Sequence, residues 1–210
     1  KNQKEVKQFL GLAGFYRQFI DNFSSIADPL NKLLKKGIRF KWTEECDQAF
    51  NSMIKSLSSS PVLAYPDFTR EFHLTTDASN VGIGMVLSQI DENNDDRPIY
   101  FASRSLNSAE RNYSTIEKEL LAIIHGVEKF KYYLYGKEFV IHTDHNPLTY
   151  LNNLTLASSR LTRWRLKLAE YNFRIIYKKG STNVNADALS RAPDDQTYVG
   201  KEDVIHSLLS

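Results

Sequence analysis

The chain has 210 residues, of which 41% are hydrophobic, 12% aromatic and 25% charged, values of a globular protein that exclude a disordered tail, a collagen-like repeat or a coiled coil. The single cysteine, Cys46, rules out an internal disulfide or a zinc ribbon and fits a reducing compartment. A net charge of +2 does not by itself argue for nucleic acid, and the charged N-terminal run lacks an apolar signal core, so a soluble protein with no membrane partner is expected.

Val6, Phe9, Leu10, Ala13, Tyr16 and Ile20 recur at the spacing of one helix face, with Gly11 and Gly14 offering room for close approach. A second helix is predicted over 26–34, with Pro29 in its first turn and Lys35-Lys36-Gly37 as its stop. A third follows Thr43, an N-cap ahead of Glu44 and Glu45, and places Cys46, Phe50, Met53, Ile54 and Leu57 at helical spacing. Residues 1–60 thus read as a helical segment and 61–69, with Pro61 and Pro66, as a linker.

Strand alternation then takes over. Residues 71–79 and 82–89 pair as a hairpin, and the acidic loop Asp91-Glu92-Asn93-Asn94-Asp95-Asp96 leads to a third strand over 98–103. Ser114 and Glu117 form a capping box that opens a helix predicted to run over 115–135. The strand at 139–143, reached through that crossover, should lie parallel in the same sheet. Asn146-Pro147 should start a brief helix, 160–170 another, 173–178 a fifth strand and 186–190 a terminal helix. The expected fold is α/β, a mixed five-stranded sheet with flanking helices preceded by a small helical segment.

Four acids stand where this pattern calls for apolar or small residues. Asp77 and Asp144 end the first and fourth strands and, if those strands are parallel neighbours, emerge at one carboxyl edge. Glu119 lies beside the buried stripe of the long helix, whereas Glu117 is explained by the cap, and Asp187 opens the last helix. Carboxylates gathered there repel, and burial adds to the cost, so they need cations. Oxygen ligands without Cys or a His cluster favour Mg²⁺, with Mn²⁺ as substitute. Two such ions roughly 4 Å apart are suited to phosphodiester hydrolysis. Each acid alone is as well read as a solvated charge or a cap; the four together are not.

Leu74-Thr75-Thr76-Asp77-Ala78-Ser79, Asn112 to Ala122, Thr143-Asp144-His145-Asn146-Pro147-Leu148 and Asn183-Val184-Asn185-Ala186-Asp187-Ala188-Leu189-Ser190-Arg191 resemble the ribonuclease H domain of gypsy-type LTR-retrotransposon reverse transcriptases. Phe9 to Ile20 and Phe40-Lys41-Trp42-Thr43 resemble the thumb and connecting helices of the same polymerases, so the likeness covers about 4–192. The resemblance implies a ribonuclease H-like domain over 70–192, a C-terminal tail over 193–210, and cleavage of the RNA strand of RNA:DNA hybrids by two Mg²⁺ ions. Asp77, Glu119, Asp144 and Asp187 would be both the catalytic residues and the metal ligands. The Tyr-x-Asp-Asp polymerase motif is absent from the sequence, so the chain is expected to act as part of a larger polyprotein whose remainder polymerises DNA. Residue 1 is Lys and the chain stops inside the helix-like 203–209, which also suggests a piece of a longer polypeptide.

Two features depart from cellular ribonucleases H. The loop Lys178-Lys179-Gly180-Ser181-Thr182-Asn183 lacks their histidine, and 152–159 is too short for their basic protruding helix. Grip on a hybrid is instead expected from 160–179, where Arg160, Arg163, Arg165, Lys167, Arg174, Lys178 and Lys179 face only Glu170. Ser79, Asn80 and Asn183 are candidate partners of RNA 2′-hydroxyls. Trp164 and most tyrosines are assigned to the core, and His125, His142 and His145 to structural roles. The alternatives are a non-catalytic nucleic-acid-binding or structural module, and an integrase-like enzyme with another substrate. Cytoplasmic localisation is expected, in virus-like particles or with access to the nucleus, and no motif specifies an oligomeric state.

Overall fold

In the computed structural model of the chain, which describes residues 2–58, 62–146, 159–180, 183–191 and 199–200, helix α1 (Gln3–Phe15) begins at a capping box. The Asn2 side chain accepts from the Glu5 amide while the Glu5 carboxylate accepts from the Asn2 amide. Helix α2 (Phe23–Lys32) starts three residues ahead of the predicted position because Asn22 adopts a left-handed φ of 55° that turns the chain into it. Pro29 therefore falls in the helix interior, where its ring removes the bond an amide would give to the Ser25 carbonyl. Helix α3 (Glu44–Leu57) starts where expected, with the Thr43 hydroxyl accepting from the Cys46 amide. Val6, Leu30, Leu33, Cys46 and Ala49 form the core of this unit, with Phe9, Phe40 and Trp42 against them. Gly14 has open space around it and is not a point of close approach.

Contacts divide the chain into this unit, 1–64, and a second, 65–210. The second contains strands β1 (Phe72–Ala78), β2 (Gly82–Ile90) and β3 (Asp96–Ser105), then helix α4 (Thr115–Lys129) and a short helix α5 (Lys131–Leu134). Strand β4 (Glu138–Thr143), helix α6 (Ser159–Leu168), strand β5 (Asn172–Tyr177) and helix α7 (Val184–Arg191) follow. β1, β2 and β3 pair antiparallel in succession, while β4 joins β1, and β5 joins β4, in parallel. The mixed sheet of five strands is thus ordered β5-β4-β1-β2-β3, and a two-residue strand β6 (Val199–Gly200), within the expected tail, adds to β3 as a sixth. Between Leu87 and Ser88 the pairing slips by one residue opposite Pro98, which cannot donate to the ladder and is tolerated at such a bulge.

The helix predicted over 115–135 breaks at Phe130, whose ψ of 23° leaves the helical range and whose buried ring packs edge-on against Tyr100. Beyond Asn146, the helix expected at Asn146-Pro147 lies outside the described residues, as does the stretch 152–159 apart from Ser159. Side-chain alternation then assigns the layers. Leu74 points at Gly126 of α4, where an added Cβ would sit 3.0 Å from the leucine, so the even-numbered residues of β1 face α4. Gly84 pairs with Asp77 and meets α7: a Cβ there would lie 2.3 Å from the Ala186 carbonyl and 2.6 Å from the Ser190 amide nitrogen. The odd-numbered residues of β1, Asp77 among them, therefore face α7 across the opposite side of the sheet. Phe72, Leu74, Met85, Leu87, Ile123, Phe139 and Ile141 fill the core. No helix among the described residues is long and apolar enough to cross a membrane.

Candidate active site

Parallel pairing of β1 with β4 sets Thr75 beside His142, and two residues further on Asp77 and Asp144 leave the same edge of the sheet. Glu119 reaches that edge from the start of α4. Asp77, Glu119 and Asp144 each offer an oxygen, and these atoms all lie within 4.8 Å of one another. Asp77 is 5% exposed and Glu119 4%, so the cluster is held largely out of water. Gly180 packs over Asp144, where a Cβ would approach Oδ2 to 2.9 Å.

The surroundings show what such crowding costs. Burial, then the nearby Asp77 and Asp144 charges, push the Glu119 carboxyl up to about 9, although the Ala78 amide donates to it. Burial likewise raises Asp77 to about 6, helped by Asp187 and Asp144, against the pull of a 2.5 Å hydrogen bond from the Ser190 hydroxyl to Oδ2. Glu119 Oε2 is buried with no hydrogen-bond partner among the described residues. An orphaned carboxylate oxygen beside two further carboxylates is a donor set suited to a hard divalent cation, which would relieve the repulsion and the lost solvation together.

Asp187 lies in the first turn of α7 and borders the cluster without joining it. Its Oδ1 accepts a 2.6 Å hydrogen bond from Arg191 Nε, one helical turn on. The sequence reading missed Ser190 and Arg191 as site residues, although three- and four-residue spacing from Asp187 was a signal for both.

Two of the proposed RNA contacts prove to be structural ties. Asn183 is fully buried, its amide donating to the Thr76 carbonyl, and it offers no surface to a ligand. The Ser79 hydroxyl donates to the Ser190 carbonyl at 2.6 Å and accepts from the Val81 and Gly82 amides, joining the β1–β2 turn to α7. Asn80 is exposed, with Oδ1 accepting from Lys118 Nζ at 3.0 Å. The basic segment is also less one-sided than its local composition. Arg160 pairs with Glu117 at 2.8 Å and lies 3.9 Å over the Tyr113 ring. Lys167 pairs with Glu128, and Arg174 with Glu71. Arg163 is exposed and makes no ion pair with a described residue; Lys178 is half-buried and Lys179 exposed.

His142 stacks on His73, ring nitrogens 2.9 Å apart, and burial with the neighbouring imidazole pushes it down to about 4, so it stays neutral. Trp164 packs on the core beside Tyr113, and Tyr16, Tyr100 and Tyr133 are buried with Tyr171 packed against the core, as expected of most tyrosines; Tyr65, Tyr132, Tyr135 and Tyr177 are exposed.

Residues 67–171 match the RNase H-like domain found in reverse transcriptase. The chain belongs to this family. Asp77, Glu119 and Asp144 of this RNase H-like domain fall inside the matched stretch, and Asp187 lies beyond it. Over 196 residues, 93% of this chain, it is 46% identical to the retrovirus-related Pol polyprotein from transposon 297 of Drosophila melanogaster, 18% of whose length is covered. It is 41% identical to the transposon Tf2-3 polyprotein of Schizosaccharomyces pombe over 212 residues, 99% of this chain and 16% of that protein. The chain thus spans less than a fifth of the length of these two relatives. Among solved structures, the foamy viral protease-reverse transcriptase dRH in complex with ds DNA superimposes with a TM-score of 0.68 at 23% identity, over 85% of this chain and 35% of that one, a likeness of fold.

Proposed function

We propose that this chain is a divalent-metal-dependent endonuclease that hydrolyses the RNA strand of RNA:DNA hybrids, working inside a larger reverse transcriptase polyprotein during retrotransposon replication. The observation that carries the reading is the convergence of Asp77, Glu119 and Asp144 within 4.8 Å, two of them almost wholly buried. Asp77, Glu119, Asp144 and, at the rim, Asp187 would hold Mg²⁺, or Mn²⁺ in its place; divalent ions there supply an activated water and stabilise a leaving oxygen. The chain's own residues fix the geometry. Two adjacent strands and a helix packed on them hold the carboxylates, and the Ser190 hydroxyl orients Asp77.

Contacts to the backbone of the hybrid would come from exposed cations such as Arg163 and Lys179, and discrimination of RNA from the edge near Asn80. Incubating the chain with a labelled hybrid and Mg²⁺ should cut the RNA strand, with no cleavage of duplex DNA. Equal cleavage by the Asp77→Asn variant, or none by the wild type in any divalent ion, would defeat the reading. Cutting of duplex DNA would favour the integrase-like alternative.

A further inference from the structure

The last turn of α7 grips two of the four acids with consecutive residues. Ser190 donates to Asp77, and Arg191 donates to Asp187. The Arg191 guanidinium also lies close enough to Asp77 and Asp144 to be held by their charge, which places a positive group at the rim of an otherwise acidic pocket. Among the described residues Asp187 is then the one acid of the four already supplied with a counter-ion, and it is the one that stands outside the cluster.

We propose that Arg191 is a positioning residue that holds Asp187 in reserve: the site takes a first divalent cation on Asp77, Glu119 and Asp144, and a second only as the guanidinium swings away from Asp187. This rests on the metal-dependent reading of the site. Three properties of the pair suit it to that exchange. The contact is an i, i+4 pair within one helix, so its geometry is set by the backbone. Both side chains are partly exposed, 47% and 31%, so the bond is weak enough to be given up. A guanidinium does not lose its proton, so it leaves by rotation and stays available as a donor to an anion at the rim. Ser190, neutral and buried against Asp77, has no comparable way out.

Calorimetric titration of Mn²⁺ into the full chain without nucleic acid tests this directly. The wild type should show a tighter first step and a weak second one. Arg191→Ala should leave the first step in place and tighten the second by about fivefold, the upper range for releasing an exposed pair. Arg191→Gln, which keeps length and helix propensity without the charge, should do the same if the alanine variant does not fold. A second step that is unchanged or weaker in the variants, with Asp77→Asn still abolishing the first, overturns the reserve role and leaves the metal site standing. If Asp77→Asn binds both ions like the wild type, the metal-dependent reading fails, and this inference with it.

Discussion

The carboxyl edge of the sheet and the segment 160–179 treat charge in opposite ways. At the edge, Asp77, Glu119 and Asp144 are pressed together, the first two buried and the third half-buried, and among the described residues the only counter-charge bonded to the acids there is Arg191 on Asp187. Along 160–179, Arg160, Lys167 and Arg174 are each matched to an acid from α4 or from the residue preceding β1, at the surface. The paired charges are ordinary solvated chemistry, with little cost and little gain. The unpaired ones are held in place against repulsion and lost hydration, and only a rigid frame of neighbouring strands and a packed helix can do so. Imposed charge stress, more than abundance of charge, distinguishes the candidate active edge.

The sharpest way to break this contrast is to neutralise the stressed side. Asp77→Asn or Glu119→Gln should lower hybrid cleavage by more than about a hundredfold, measured in Mg²⁺ with a labelled substrate. The frame comes next. Gly84→Ala forces a methyl into the Ala186 carbonyl and should cost about 3 kcal/mol in urea unfolding, because backbone atoms of α7 cannot move aside.

The stress itself should be visible as pH dependence. Asp77 and Glu119 both have carboxyl pKa values raised in the folded state, so the stability they permit is complete below their usual values of 3.8 and 4.5. It is lost as pH rises toward about 6 for Asp77 and about 9 for Glu119. The thermal midpoint of the metal-free protein should therefore fall between pH 4 and 9, and Glu119→Gln should flatten the upper part of that decline. Added Mg²⁺ should raise the midpoint more at pH 9 than at pH 5; an equal rise at both would mean the acids are not strained.

On the paired side effects should be small. Arg160→Ala loses a partly exposed ion pair and its stacking on Tyr113, about 1 kcal/mol in stability. Arg163→Ala should leave stability within about 0.5 kcal/mol, yet reduce the salt dependence of hybrid binding by about one charge if it touches phosphate. An unchanged slope would remove Arg163 from the interface.

Strands, capped helices and the four candidate acids are readable along the chain, while which three of those acids meet is settled by the fold. These follow from short-range rules: apolar period, Ser114 with Glu117 as a cap, and acids interrupting apolar strand ends. The parallel direction of β4 was legible too, since a crossover helix returns the chain in the same direction, but that β4 pairs directly with β1 came only with the sheet order. Packing alone settles which polar groups meet across long sequence separations. Asn183 and Ser79 look like ligand contacts in the sequence because polar residues near an acid suggest a binding rim, yet the Asn183 amide donates to Thr76 and the Ser79 hydroxyl to Ser190, each more than a hundred residues away. The basic run looked unpaired because a local count cannot include Glu71, Glu117 and Glu128, which the fold brings to it. Periodicity is written along the chain, whereas charge and hydrogen-bond balance is settled only in space, by whichever groups the packed sheet and helices bring together.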